Sequence, residues 1–130
     1  MLNKGLFTST SCQWATPKEL YKALDLEFHF DFDPCPLSEN DISGLLKEWN
    51  GKSIYCNPPY GRNIAKWIDK AYNEWKQGKT VVLLIPSRTD TKWWHRYIME
   101  ASEIRFVKGR LKFGDSKQGA PFPSAIVIFK

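Results

Sequence analysis

The sequence predicts an α/β domain whose sheet is mostly parallel and finishes in an antiparallel hairpin at its C-terminal end. Three observations predict it. From Ser53 onward, short β-branched runs alternate with segments of helical period, the pattern of strands joined by right-handed crossover helices. The run from Thr80 to Ile85 is continuously apolar, as a strand covered on both faces requires. Between the runs Glu103 to Val107 and Ser124 to Phe129 lies a basic, glycine-rich stretch with no helical pattern, a connection that suits a hairpin. At 130 residues the chain is long enough for one core and too short for two. Residues 1–13, polar and small, read as a flexible arm, and residues 14–130 as a single domain.

The elements follow in order. Thr16-Pro17-Lys18-Glu19 combines a capping residue, a proline suited to the first helical position and a capping-box glutamate. It predicts a short helix to about Leu24. Phe28, Phe30 and Phe32 alternate with His29, Asp31 and Asp33, which is strand periodicity. The prolines of Asp33-Pro34-Cys35-Pro36 stop that strand. Residues 37–52 suggest a loop with one helical turn around Leu45-Leu46. Ser53 to Cys56 is a short strand, and Asn57-Pro58-Pro59-Tyr60-Gly61 is the loop after it. Ile64, Trp67, Ile68, Ala71, Tyr72 and Trp75 share one face of an amphipathic helix that closes near Gly78. Pro86 ends the central strand. Thr89 or Asp90 caps a helix through Trp93, Trp94, Tyr97 and Ile98, with one tryptophan packed and the other exposed. His29 and His95 read as structural or exposed.

Composition narrows the function. Ordinary apolar and charged fractions describe a globular protein, and six Trp supply rings both for the core and for stacking on bases. No apolar run approaches a membrane span, and the N-terminus lacks a signal-peptide core, so the expected location is the cytoplasm. Cys12, Cys35 and Cys56 are odd in number and widely spaced, a pattern of reduced thiols rather than of a zinc site. The net charge of +5 conceals an asymmetry. Residues 1–60 carry five Lys/Arg against eight Asp/Glu, and residues 61–130 carry fourteen against six. The first half suits a cationic ligand and the second a polyanion.

The chemistry is concentrated in Asn57-Pro58-Pro59-Tyr60. Two prolines stiffen the turn and remove two backbone donors, which leaves the Asn57 amide oxygen and the Pro58 carbonyl as fixed acceptors. Together they can take both hydrogens of an exocyclic amine and free its lone pair, while Tyr60 offers a ring on which a planar group stacks. The implied reaction is attack by a planar amine or amide nitrogen on an electrophile held in line, driven by positioning and electrostatics.

Asn-Pro-Pro-Tyr resembles the catalytic motif of amino-group methyltransferases that use S-adenosylmethionine (SAM). More of the chain, from Trp14 onward, resembles the phage-type DNA adenine-N6 methyltransferase (Dam) family. The resemblance rests on Trp14-Ala15-Thr16-Pro17, Phe30-Asp31-Phe32-Asp33-Pro34-Cys35, Trp49-Asn50-Gly51, the tetrapeptide at Asn57, the run Leu84 to Trp94, Gly109-Arg110-Leu111-Lys112-Phe113 and Ala120-Pro121-Phe122-Pro123-Ser124. It implies an abbreviated Rossmann-like SAM-dependent methyltransferase fold and methyl transfer from SAM to N6 of an adenine flipped out of DNA. It also implies that Asn57, Pro58, Pro59 and Tyr60 are catalytic and that Trp14, Thr16, Pro17, Asp31, Asp33 and Pro34 contact the cofactor. Arg88, at a strand's carboxyl end, and Arg105, Lys108, Arg110, Lys112 and Lys117, around the glycine-rich segment, are the candidate DNA contacts. No metal is implied.

The sequence departs from a conventional SAM domain in two respects. It contains no G-x-G, and Asp33 lies only twenty-four residues before Asn57. Asp33 therefore represents either a first-strand motif with a deletion or the acidic end of the second strand, and a homodimer is one way to complete so short a pocket. Two other readings compete: methylation of an RNA base or protein amide, and a non-catalytic DNA-binding protein with a decayed SAM pocket.

Overall fold

A computed structural model describes residues 15–36, 43–114 and 118–130. Trp14, Lys117, Cys12 and the arm at residues 1–13 lie outside the described residues. Helix α1 spans Lys18–Phe28, α2 Ser43–Leu46, α3 Ile64–Lys76 and α4 Lys92–Arg96, followed by a 3-10 turn at Ile98–Glu100. The strands are β1 Ser53–Cys56, β2 Thr80–Pro86, β3 Glu103–Phe106 and β4 Ser124–Phe129.

Among the described residues the four strands form one sheet in the order β1-β2-β4-β3. β1 and β2 run parallel, from Ser53↔Thr80 to Cys56↔Leu83. β4 runs antiparallel to both of its neighbours, β2 and β3. The sheet is thus mixed, which corrects the expectation of a mostly parallel one. The antiparallel β3–β4 pair is present, but β4 inserts between β2 and β3 instead of adding at the edge. Both β2 and β4 are buried almost throughout, so hydrophobicity identifies each as central without telling which way it runs.

The first predicted strand is a second correction. α1 continues through Phe28, and His29 closes it in the left-handed region (φ 51°), its amide donating to Asp25 O. Beyond it, Phe32 forms only an isolated parallel bridge to Ile54. The phenylalanines serve packing rather than a strand. Phe28 stacks on Phe30, and Phe30 in turn lies against Tyr21 and Tyr55. Capping differs as well: Pro17 precedes α1 with no side-chain cap, and α4 is capped by Thr91, whose hydroxyl accepts from Trp94 N at 3.2 Å, not by Thr89 or Asp90.

α3 buries the predicted face through Ile64, Trp67, Ile68 and Ala71. Trp67 meets Trp49, whose indole donates to Gly44 O at 2.8 Å. Gly44 is required there, since a Cβ would lie 2.1 Å from Pro34 O and 2.3 Å from the Trp67 ring. Trp94 is packed and Trp93 only partly covered. Cys35 and Cys56 are buried thiols, and burial pushes the Cys56 thiol well above its usual pKa. Among the described residues, no helix is long and apolar enough to cross a membrane.

A candidate active site at the carboxyl end of the sheet

The last residue of β1, Cys56, delivers the chain directly into Asn57-Pro58-Pro59-Tyr60. Both prolines and Tyr60 are buried, and Asn57 is half-buried. Two cavities adjoin this tetrapeptide. Asn57 lines the first, of about 460 Å³, together with Thr16, Tyr21, Asp33, Cys35 and Tyr55. Tyr60 lines the second, of about 280 Å³, with Ile64, Pro86, Arg88, Trp93 and Phe122. One rigid loop therefore belongs to two walls.

The orientation of Asn57 has a visible cause. Its Nδ2 donates to Thr16 Oγ1 at 3.2 Å, and the same hydroxyl shares a 2.6 Å hydrogen bond with the Tyr55 phenol. Tyr55 is buried on β1, with Tyr21 edge-on against it at 5.1 Å, and burial raises its pKa well beyond the ordinary phenol range. A protonated phenol and a threonine hydroxyl thus tether the nitrogen end of the amide, and the oxygen end is buried. Thr16, expected as a helix cap, instead joins the start of α1 to the loop that begins at Asn57.

Asp33 lines the first cavity, and its Oδ1 accepts from Cys35 N at 2.8 Å. That local turn carries the chain past Pro34, which is buried outside the cavity lining. Pro17 contributes its carbonyl to the first turn of α1, accepting from Tyr21 N. Asp31 does not reach the site. Its carboxylate accepts from the amides of Lys52 and Ser53 at 3.0 to 3.1 Å, at the opposite end of β1. Those amides hold its pKa below the usual carboxylate value.

Tyr60 is more enclosed than a base platform need be. Its hydroxyl donates to Leu84 O at 3.1 Å, and Phe122 and Phe113 pack edge-on against its ring at 5.1 and 6.3 Å. Burial keeps the phenol protonated. The two phenylalanines belong to the blocks Gly109 to Phe113 and Ala120 to Ser124. Those blocks carry the family resemblance, but sequence alone assigns their aromatic residues no role, and Tyr55 is missed in the same way.

The expected DNA contacts separate into groups. Arg88 lines the second cavity, and Lys112 is exposed next to Phe113. Lys108 is exposed after β3. Arg110 donates to Ala120 O at 3.3 Å and so braces its own loop. Arg105 is committed elsewhere: its guanidinium pairs with Glu27 at 2.6 Å and Glu103 at 2.7 Å, and both carboxylates are lowered by it. Among the described residues, no group of three His, Cys, Asp or Glu is arranged to hold a metal.

The family model described as DNA N-6-adenine-methyltransferase (Dam) matches residues 6–129. A DNA N-6-adenine-methyltransferase of Haemophilus phage HP1 (strain HP1c1) is 25% identical over 134 residues, covering 90% of this chain and 78% of the relative.

Proposed function

The chain belongs to the DNA N-6-adenine-methyltransferase (Dam) family, and from that premise we propose that it transfers a methyl group from SAM to N6 of adenine in DNA through the Asn57-Pro58-Pro59-Tyr60 loop. The observation that carries the reading is the position of this loop between two cavities, with its amide in one wall and its tyrosine in the other. A transfer enzyme needs donor and acceptor to meet across one set of fixed atoms.

The first cavity fits a cofactor of SAM's chemistry. Its walls are aromatic and aliphatic, the Asp33 carboxylate suits a cationic group, and Lys18 and Lys22 offer partners for an anionic end. Thr16, Tyr21, Asp33 and Tyr55 are the residues that would hold it, and when bound it supplies an electrophilic methyl group. Pro17 and Pro34 adjoin Thr16 and Asp33 in the chain and would support this wall, and Trp14 is kept as a cofactor contact on the family resemblance alone. Asp31 has no part in it, because two backbone amides already hold its carboxylate.

The chain's own residues perform the rest. Tethered through its nitrogen, Asn57 presents its oxygen, and Pro58 its carbonyl, as acceptors for the two hydrogens of the adenine amine. Holding both favours a pyramidal nitrogen whose lone pair points at the methyl donor. Pro59 stiffens the turn. Tyr60 and Trp93 line the second cavity and provide aromatic surface for a base extruded from the duplex at a cost of a few kcal/mol. Arg88, Lys108 and Lys112 are the proposed phosphate contacts among the residues expected from sequence, with Lys117 beside them in the chain and Arg110 through its remaining donors. We read β1-α3-β2-α4-β3-β4 as the second half of a Rossmann-like methyltransferase sheet, with both ligands at its carboxyl end. A second copy of the chain would serve only to wall the open side of the first cavity, and sedimentation during SAM titration tests for it.

Tritiated methyl transfer from SAM to unmethylated DNA and RNA, followed by nucleoside analysis, tests the function. Label in N6-methyladenine from DNA is expected. Label confined to RNA or to protein contradicts the reading.

A further inference from the structure

Next to the substrate cavity runs a groove of about 410 Å³ between α3 and α4, lined by Lys66, Asp69, Lys92, Trp93, Arg96 and Tyr97. Resting on the methyltransferase reading above, we infer that this groove binds the sugar-phosphate backbone beside the extruded adenine. Trp93 joins the two sites, because it lines both the groove and the cavity that holds Tyr60. A strand that places one base against Tyr60 must continue past Trp93, and the groove is the surface it meets there.

The charges support this. Lys66, Lys92 and Arg96 are exposed, and none has a carboxylate oxygen within 4 Å among the described residues. The acidic groups nearby are hydrogen-bonded within the protein and keep their charge, so three cations face one carboxylate in the groove lining. Asp69 accepts from the Tyr97 hydroxyl at 2.6 Å and from Asn73, and Glu100 accepts from the Tyr72 hydroxyl at 2.8 Å with Lys76 alongside. Asp90 is the remaining acid in the α4 approach, between Arg88 and Lys92 in the chain. Arg105 is the contrasting case, a cation neutralised by two carboxylates. Phosphates exchange their counterions for cations that no carboxylate neutralises; Arg96 lies over the Tyr97 ring at 5.3 Å, and Trp93 adds ring surface for the adjoining nucleotides. These residues position the strand without reading its sequence.

The test is fluorescence anisotropy of an unmethylated, adenine-containing DNA duplex titrated with full-length protein over a range of NaCl concentrations. Transfer from tritiated SAM is measured in parallel. In K66A/K92A/R96A the slope of log affinity against log salt should become shallower by about 2 to 3, at roughly 0.9 for each phosphate no longer neutralised. Arg105→Ala should leave that slope unchanged. An unaltered slope in the triple variant, with the unmodified protein still methylating DNA, overturns the groove and leaves the enzymatic reading standing. A reduced slope with no methyl transfer by the unmodified protein supports the groove as a DNA surface and overturns the enzymatic reading. If the unmodified protein does not bind DNA, both fall.

Discussion

The two ends of β1 carry the same kinds of polar residue and use them differently. At the amino end, Asp31 spends its carboxylate on the amides of Lys52 and Ser53, and Lys79 links the Trp49 carbonyl to Glu74. Those groups close the fold. At the carboxyl end, Thr16, Tyr55 and Asn57 also bond to one another, yet their chain of hydrogen bonds ends in a side chain that lines a cavity. Polar groups that satisfy backbone stabilise a fold; polar groups that orient one another in the wall of a cavity prepare it for a ligand.

This contrast can be broken by substitution. The largest expected effect is on Asn57→Ala, which removes the acceptor proposed to act on the reacting nitrogen. Transfer should fall by on the order of 10²- to 10³-fold or more, as when a preorganised polar group is lost from other transfer sites, while the melting temperature changes little. Tyr55→Phe should come next. It deletes a hydrogen bond worth about 0.5–1.5 kcal/mol, so kcat should drop by roughly 3- to 10-fold with the KM for DNA unchanged. An equal loss from Thr16→Val, restored by Thr16→Ser, would identify the hydroxyl as the tether.

Substitutions at the amino end should reverse the pattern. In Gly51→Ala the new Cβ would lie 2.5 Å from Asp31 Oδ1 and 2.8 Å from Phe32 Cβ. A crowded site of this kind costs about 1–3 kcal/mol, visible in a thermal melt, with transfer per folded molecule retained. The smallest effect belongs to Asp31→Asn. Because the folded-state pKa of Asp31 is depressed, its stabilisation is present above the unfolded carboxylate pKa and is lost as pH falls through the folded value. Asp31 is exposed, so solvent screening keeps the contribution below about 1 kcal/mol. Melting temperature against pH should therefore decline less steeply in the variant than in the unmodified protein at acidic pH.

Much of the fold was legible because period and punctuation agreed. α3 followed from its apolar spacing and Gly78, and β1, β2 and β4 from β-branched runs bounded by polar residues or proline. Phe28, Phe30 and Phe32 misled because alternation records which side a ring faces, and here Phe30 packs on Tyr21 and Tyr55 with Phe28 stacked on it, without a partner strand to complete a ladder. The direction of β4 was not legible either, since a strand covered on both faces carries no mark of polarity. Within the site, Asn57 was readable as a polar residue just past the end of β1, whereas Asp33 follows an isolated bridge at Phe32 and not the strand expected before it. Thr16 misled as a helix cap, because a residue before a helix reads as one whatever its hydroxyl meets in space, while its expected place beside the cofactor came from the family resemblance. Arg105 read as a DNA contact because its main partner, Glu27, lies seventy-eight residues away; Glu103, two residues before it on the same strand, was the nearby sign that it is neutralised.

The central claim is that Asn57 acts on the acceptor amine and serves neither to hold the cofactor nor to stabilise the fold. Calorimetric titration of Asn57→Ala with SAM, beside its transfer rate on unmethylated DNA, tests this most directly. The account predicts SAM affinity within a few-fold of the unmodified protein and transfer lost. Cofactor binding lost together with transfer, or transfer retained, would contradict it.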